Sequence, residues 1–477
     1  MSQTIQQQAP QMADGMRRVP FPTESYEHPS RPLSAKRLLN CFIEQQPSDA
    51  RSPAALRTIP GLDYRETLGV GPVHVFDTDY VGGFYAVSGS YVFRNQNGAT
   101  NNLGYVGTAS DAAWLPPLLS PSIAISPNYA VICVPPRLYW IAHDTWTLTE
   151  IDTSEFQGGG CNSVAFCDGY FIGTQHSIGN RWFISSLNDP TTWDALDYNS
   201  ADSIVNILSK VIVHRGEIWL LGQAGAEVWY NTGAADFPFR RQSGGVIQFG
   251  FTPRTSIVLD GSVWFLSYDG CVYRTNGYKP QRVSTHAIEA IIETATPNRA
   301  IGFGYVQEGH AFYCLTFTDL NRTLCYDAAT QKWHDRSSLG AAWRPLVTSR
   351  IDEAAYAGDT SGRLYTVNPN GAYDNGALIQ QSVTFPPLYA NTRRAFCTRA
   401  ELEMEAPPTS DVLLSWSDDG GTTFTAGRTM SGAQAPNARN RLVTTRLGSF
   451  RQRIFKIATT GRSTIYAMDV DADAGAH

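Results

Sequence analysis

Lysine is scarce in this 477-residue chain. Of 37 basic residues five are lysine, Lys36, Lys210, Lys279, Lys332 and Lys456, which leaves 32 arginines. Arginine offers a flat, forked, weakly hydrated cation suited to protein interfaces; GC-rich coding produces the same bias. Charge as a whole is low, at 17% of residues, against 12% aromatics. That balance fits many short buried strands better than solvated surface helices. A formal net charge of −6 excludes a basic field over the whole surface, and with it a protein that binds nucleic acid through such a field. No apolar run approaches membrane-spanning length. The opening MSQTIQQQAPQMADGMRR has no apolar stretch of the secretory kind, so synthesis and assembly in a reducing cytoplasm are expected. The eight cysteines, Cys41, Cys133, Cys161, Cys167, Cys271, Cys314, Cys325 and Cys397, form no CxxC and no Cys/His pair of zinc spacing. Most sit inside apolar strand patterns, as in Val131-Ile132-Cys133 and Phe312-Tyr313-Cys314, and are expected to be reduced and buried.

Catalytic signatures are missing too. There is no GxSxG, HExxH, phosphate-binding P-loop, or GxGxxG following a strand. The nine histidines are His28, His74, His143, His176, His214, His286, His310, His334 and His477, and none pairs with another at metal spacing. His214 and His310 flank hairpin turns and read as turn or edge residues. Gly158-Gly159-Gly160 opens no helix, which argues against a phosphate cradle. No catalytic, cofactor-binding or metal residue is assigned, no cofactor is expected, and the chain is expected not to be an enzyme.

What is present is repetition. Asn162–Trp193, Lys210–Gln242 and Thr255–Ser284 each hold an apolar run, a polar residue plus Gly, an aromatic-rich apolar run, and a segment with Trp or Tyr. The turns are Asp168-Gly169, Arg215-Gly216 and Asp260-Gly261. X-Gly between β-branched and aromatic runs signals a tight hairpin, since Gly tolerates positive φ. A sheet of three or four such strands cannot bury both faces alone and must stack on a like neighbour, as propeller blades do. Earlier units begin at Val73 and Ala130, a sixth at Ile301, and a weaker seventh joins Glu353–Gly358 to Gly362–Val367. Gly169, Gly216, Gly261, Gly309 and Gly362 recur at steps of 47, 45, 48 and 53 residues. The reading is about seven blades, with six plus a stray hairpin as the alternative. His286–Thr294 is the best helix candidate, with Ile288, Ile291 and Ile292 on one face.

The fold class is therefore all-β: an extended arm at 1–60, rich in Gln, Pro and Arg, a β-propeller at 61–376, and an antiparallel β-sandwich at 377–477. Within the arm, Leu38–Ile43 and Thr58–Leu62 suggest short strands, the kind of segment that closes a propeller ring or reaches another subunit. In the last region Pro407-Pro408 breaks a strand pair. Ser417–Phe424 (SDDGGTTF) fits the Asp-box hairpin that recurs in sialidase propellers, but it occurs once and outside the repeats. A sialidase- or glycosidase-type enzyme is therefore one alternative, and a cellular propeller scaffold another. Arg439, Arg441, Arg446, Arg451, Arg453, Lys456 and Arg462 fall in 24 residues without Asp or Glu. On a strand Arg451 and Arg453 share a face. The expected role is an interface toward phosphates or an acidic partner, set against a solvated sheet face whose carboxylates come from elsewhere.

Several blocks, in order along the chain, resemble the tail-hub or packaged-DNA stabilisation proteins of short-tailed bacteriophages. They are Leu39-Asn40-Cys41-Phe42 with Pro47, Ile59-Pro60-Gly61-Leu62, Asn180–Leu187 leading into Asp189-Pro190-Thr191-Thr192-Trp193, Gly225–Tyr230 with Gly233 and Phe237-Pro238-Phe239, Trp416–Phe424, and Arg446–Ile457. The resemblance implies a virion protein in the tail, assembled in the host cytoplasm. It implies a self-associated ring, a hexamer by expectation, below the portal and its adaptor protein. Such a ring would retain packaged double-stranded DNA, let it pass without sequence specificity, and hold tailspike, fibre or needle proteins.

Overall fold

The computed structural model describes residues 16–47, 52, 54–80, 82–107, 120–153, 156, 159–176, 179–203, 207–351, 354–390, 393–405, 411–432 and 438–474. Gly158, Glu353 and the Pro407-Pro408 break lie outside them, as do residues 1–15 of the arm. The chain forms two compact units, one of residues 61–331 and 340–369, the other of residues 1–60, 332–339 and 370–477.

The first unit contains seven antiparallel meander sheets. Their first strands are Val73–Thr78, Ser122–Ile125, Cys161–Cys167, Leu208–His214, Ile257–Leu259, Ala300–Gln307 and Val347–Ile351. Each first strand touches the next, and the seventh touches the first, so the sheets close a ring. The hairpins after the third to sixth first strands use Asp168-Gly169, Arg215-Gly216, Asp260-Gly261 and Glu308-Gly309, every one at positive φ. Two left-handed residues in succession match the right-handed twist of the flanking strands. Gly362 differs. It turns the chain between the second and third strands of the last sheet, Ala354–Gly358 and Arg363–Asn368, so the last step of 53 joins unlike turns.

Neighbouring sheets share their cores, as a pair of one-sided sheets must. Ala165, Ile172 and Trp182 of the third sheet pack with Leu208, Ile218, Leu220 and Trp229 of the fourth. Between the fifth and sixth, Trp264 stacks on Tyr313 at 5.4 Å, and Tyr313 donates its hydroxyl to the Thr255 carbonyl at 2.8 Å. The ring is closed by Gly61–Thr67, the fourth strand of the seventh sheet, antiparallel to Arg363–Asn368 with Leu62 opposite Val367. The one α-helix among the described residues, His286–Glu293, buries Ala287, Ile288 and Ile292.

The second unit is a sandwich. One sheet orders Cys41–Gln45, Ala54–Thr58, Thr464–Ala474, Ala395–Glu405 and Asn440–Phe450, with Met16–Arg18 added beside Thr464–Ala474. The facing strands include Lys332–Ser338, Ala35–Leu39, Gln380–Thr384, Gln452–Thr460 and Leu413–Ser417. The sequence places residues 1–60 in a separate arm; the described part of that segment is woven into the sandwich instead. Val19, Leu38, Cys41, Ile43, Ala54 and Leu56 enter the same core as Leu402, Leu442, Phe455 and Met468. A fully buried aliphatic side chain contributes about 1.5–3 kcal/mol, which outweighs what an unsupported arm could offer. Lys332–Ser338 likewise belongs here, although the sequence continues the sixth repeat through it. All eight cysteines are free thiols, seven buried and Cys271 half-buried.

Candidate functional site

The arginine-rich stretch is spread over strands and turns that set its members apart. Asn440–Phe450 pairs with Ala395–Glu405, bringing Arg441 opposite Glu403. The Arg441 Nε donates to Glu401 Oε2 at 2.5 Å, and Arg399 Nη2 reaches the same carboxylate at 2.6 Å. Arg439 Nη1 meets Glu403 at 3.3 Å, and its guanidinium lies 4.1 Å from the Tyr466 ring. Across the sheet Arg18 pairs with Asp469 at 2.8 Å. Apart from Arg399, which lies on the same strand as Glu401, these arginines make exposed cross-strand pairs, each contributing about 0.2–1 kcal/mol and helping to hold register. For Arg439 and Arg441 the solvated, carboxylate-matched face is the observed arrangement.

Arg453 is inside the protein, its side chain 2% exposed. Its Nε and Nη2 donate to the two carboxylate oxygens of Asp418, each at 2.7 Å, and Nη1 donates to the Leu447 carbonyl at 2.7 Å. Its guanidinium lies 5.2 Å from the Trp416 ring and 4.7 Å from Phe450. Arg451 does not share its face, because the chain turns between Phe450 and Gln452 and leaves Arg451 exposed at the tip. Lys456 is half-buried, its ammonium 5.5 Å above Phe424. Arg446, in a left-handed conformation at φ 60°, and Arg462 are exposed. Arg446, Arg451 and Arg462 have no ion pair among the described residues. The seven cations thus divide into a paired face, a buried structural arginine, an ammonium over a ring, and three exposed tips with no ion pair among the described residues.

One of those tips sits in a sharper cluster. The Ala390 N–H donates to the Arg451 carbonyl at 2.8 Å, Tyr389 lies opposite Gln452, and Ala395 lies opposite Phe450. The segment between these anchors carries exposed Arg393 and Arg394. Tyr389 and Phe396, each 52% exposed, flank them. Three arginines with no ion pair among the described residues and two open aromatic rings therefore occupy one end of the sandwich. The sequence reading passed over Arg393-Arg394; the available signal was an Arg pair bracketed by aromatics just before a strand.

The Asp-box hairpin is formed. Asp419 accepts the N–H groups of Thr422 and Thr423, each at 3.0 Å, and the Ser417 hydroxyl at 2.6 Å. These donors, the side chains of Ser417 and Thr423 foremost, hold its carboxyl far below the usual carboxylate range. The carboxylate is engaged in fixing a turn. His310 Nδ1 is 2.8 Å from Asp327, which also accepts the Thr330 hydroxyl at 2.6 Å. His214 is buried beside the Arg215-Gly216 turn, and burial, then Arg215, lowers its pKa.

At the ring centre lies a cavity of about 700 Å³ to which all seven first strands contribute, among them His74, Ser122, Ser163, Lys210, Ile257, Phe303 and Thr348. A cavity of that volume is of small-ligand size, too small to hold a stretch of DNA duplex, whose major groove alone is ~12 Å wide.

Two family models match the chain. One, described as the β-propeller of bacteriophage P22 Gp10, covers residues 33–370; the other, its β-sandwich, covers residues 382–474. No curated protein matches the chain. Among solved structures, the extracellular domain of the hybrid two component system BT4673 from B. thetaiotaomicron is 10% identical, with a TM-score of 0.45 over 82% of this chain and 60% of that one. A second structure, titled as the one component system BT4673, is 9% identical, with a TM-score of 0.44 over 85% and 63%. The chain thus spans about three fifths of the length of these structures.

Proposed function

The chain belongs to the bacteriophage P22 Gp10 family of phage structural proteins, and from that premise we propose that it forms the tail hub of a short-tailed phage. In this reading copies assemble as a ring below the portal and adaptor, retain packaged DNA, and anchor spike, fibre or needle proteins. What carries it is the ordered pair of family matches, which together take in the propeller and the sandwich.

Physical features support the division of labour. A closed ring of short meander sheets protects its strand edges and makes a stiff wall element. Its cavity is too small for a duplex, so the DNA conduit runs between copies rather than through one. A wall beside moving DNA is best not strongly basic, since each phosphate contact retards exit, and the formal charge is −6. The corner of Arg393, Arg394 and Arg451 with Tyr389 and Phe396 has the composition of a contact surface, rich in arginine and aromatics.

Cryo-electron microscopy of the intact particle tests the reading. The expected result is this propeller and sandwich repeated around the tail axis below the portal. Virions that lack the chain, or that carry it elsewhere, overturn it.

A further inference from the structure

The cavity at the centre of the seven sheets has an unusual charge inventory. Its lining residues include His74, Lys210, Arg254 and Arg299, and none of the described lining residues is Asp or Glu. His74, Lys210 and Arg254 are half-buried and Arg299 is exposed; charges drawn partly out of water ordinarily find an opposite partner nearby. Here the compensation is incomplete. Among the described residues Lys210 Nζ donates one hydrogen bond, to the Ser256 carbonyl at 2.7 Å, although an ammonium carries three protons. Arg254 Nε and Asn298 Oδ1 are buried without a hydrogen-bond partner among the described residues. Burial, and then the charge of Arg254, pushes Lys210 down to about 8 and His74 down to about 4; burial alone brings Arg254 down to about 10. The carboxylate in the adjoining hollow, Asp77, is engaged with the Thr78 N–H and the Ser349 hydroxyl.

We propose that this cavity is a binding site for a phosphate group, either inorganic phosphate or a small phosphomonoester, held by Lys210 and Arg254 with Arg299 and Asn298 around it. A dianion suits the site better than a carboxylate, since Lys210 and Arg254 already supply two positive charges. A guanidinium fork and an ammonium are the donor types that phosphate oxygens take. The cavity is large enough for a phosphate with a short organic substituent and too small for a duplex. The site is assembled from several sheets, so its occupant would tie the ring together. The inference stands apart from the tail-hub reading and does not depend on it.

The test is thermal unfolding and calorimetric titration of the full chain with sodium phosphate and with glycerol 1-phosphate, each against sodium chloride at equal ionic strength. The expected result is saturable binding with a melting temperature that rises and levels off. Arg254→Gln and Lys210→Met should each weaken binding at least tenfold, while the melting temperature without phosphate stays level or rises as like-charge repulsion is relieved. Tighter binding of the ester assigns the occupant to phosphomonoesters, and binding of phosphate alone assigns the free ion; either outcome supports the site. Equal behaviour in phosphate and chloride overturns it. So does a non-saturating rise shared by a variant that combines Arg254→Gln with Lys210→Met, which would be the general effect of phosphate on protein surfaces.

Discussion

Asn40 and Ser337 exchange two hydrogen bonds across nearly three hundred residues of chain. Asn40 Nδ2 donates to the Ser337 carbonyl at 2.9 Å, and the Ser337 N–H returns to Asn40 Oδ1 at 2.8 Å. The same amide nitrogen donates to the Gln380 carbonyl at 2.7 Å. Asn40 is buried and left-handed, at φ 55°, a conformation Asn tolerates better than most residues. It therefore stands in for a missing stretch of ladder where three segments of the sandwich meet. Asn40→Ala should cost about 2–4 kcal/mol, from orphaned backbone groups at about 1–3 kcal/mol and from strain at a left-handed site of about 1 kcal/mol. Asn40→Gly should recover only the strain. Hydrogen exchange across residues 332–338 and 380–384 reads the loss, and protection unchanged in Asn40→Ala would refute the clamp.

Arg451 and Arg453, two residues apart in sequence, should behave oppositely. Removing Arg453 leaves two carbonyls and the Asp418 carboxylate without their donor inside a packed corner. Breaking a buried pair costs about 3–5 kcal/mol, and Asp418 at 42% exposure recovers part of this through water, so Arg453→Ala should cost about 2–3 kcal/mol. Arg451→Ala should change stability by less than about 0.5 kcal/mol, as exposed tips do. If the basic corner mediates assembly, Arg393→Glu combined with Arg451→Glu should abolish ring formation with folding intact. Denaturant unfolding and sedimentation of the same samples separate the two effects.

The contrast shows what the sequence can carry. Blade hairpins were legible because a tight turn needs left-handed residues at fixed places, and Asp168-Gly169 or Asp260-Gly261 records that need in two adjacent letters. Gly362 misled because a different turn makes a similar demand. There Asp359 accepts the N–H groups of Ser361 and Arg363, at 2.8 and 2.9 Å. The fate of residues 16–60 was not legible, since their partners are remote: Arg37 lies opposite Thr384, and Thr58 donates to the Ser463 carbonyl. No local periodicity encodes a pairing over hundreds of residues. Arg453 was misread for the same reason, because its Asp418 partner lies on another hairpin. The central cavity left no trace at all, as its lining comes in short pieces, at most four consecutive residues, from each of seven separate repeats.

Gly302 marks a close approach between the fifth and sixth sheets. A Cβ placed there would lie 2.4 Å from the Thr255 carbonyl oxygen and 2.7 Å from its Cα. Both are backbone atoms in a ring that has no slack, so neither sheet yields without disturbing its other neighbour. Gly302→Ala should destabilise the propeller by about 2–3 kcal/mol, in the upper range for overpacking. Gly309→Ala, at a turn with open space around its Cβ position, carries only the conformational cost of positive φ, about 1 kcal/mol. Paired urea titrations that rank the two in the reverse order would contradict the close approach.

Acid should weaken the propeller through His74. In the folded protein burial and Arg254 hold the imidazole neutral down to about 4, against 6.5 when it is free. Above pH 6.5 the ring is neutral in both states and contributes no pH dependence. Between 6.5 and 4 the unfolded chain takes up a proton that the folded chain refuses, so stability falls as pH falls, by on the order of 2–3 kcal/mol in all. Lys210 and Arg254, lowered to about 8 and about 10, are charged throughout that window and add no slope. Asp77 in the adjoining hollow acts in the opposite sense, because burial raises its pKa from 3.8 and favours the protonated folded form. The variant His74→Gln keeps Asp77 and removes only the imidazole, so the difference between variant and wild type isolates its share. Unfolding free energies at pH 7 and pH 4 should drop by about 2 kcal/mol less in His74→Gln than in wild type. Equal drops would mean that the imidazole takes up its proton in the folded ring as readily as in the unfolded chain, and would overturn the depressed pKa.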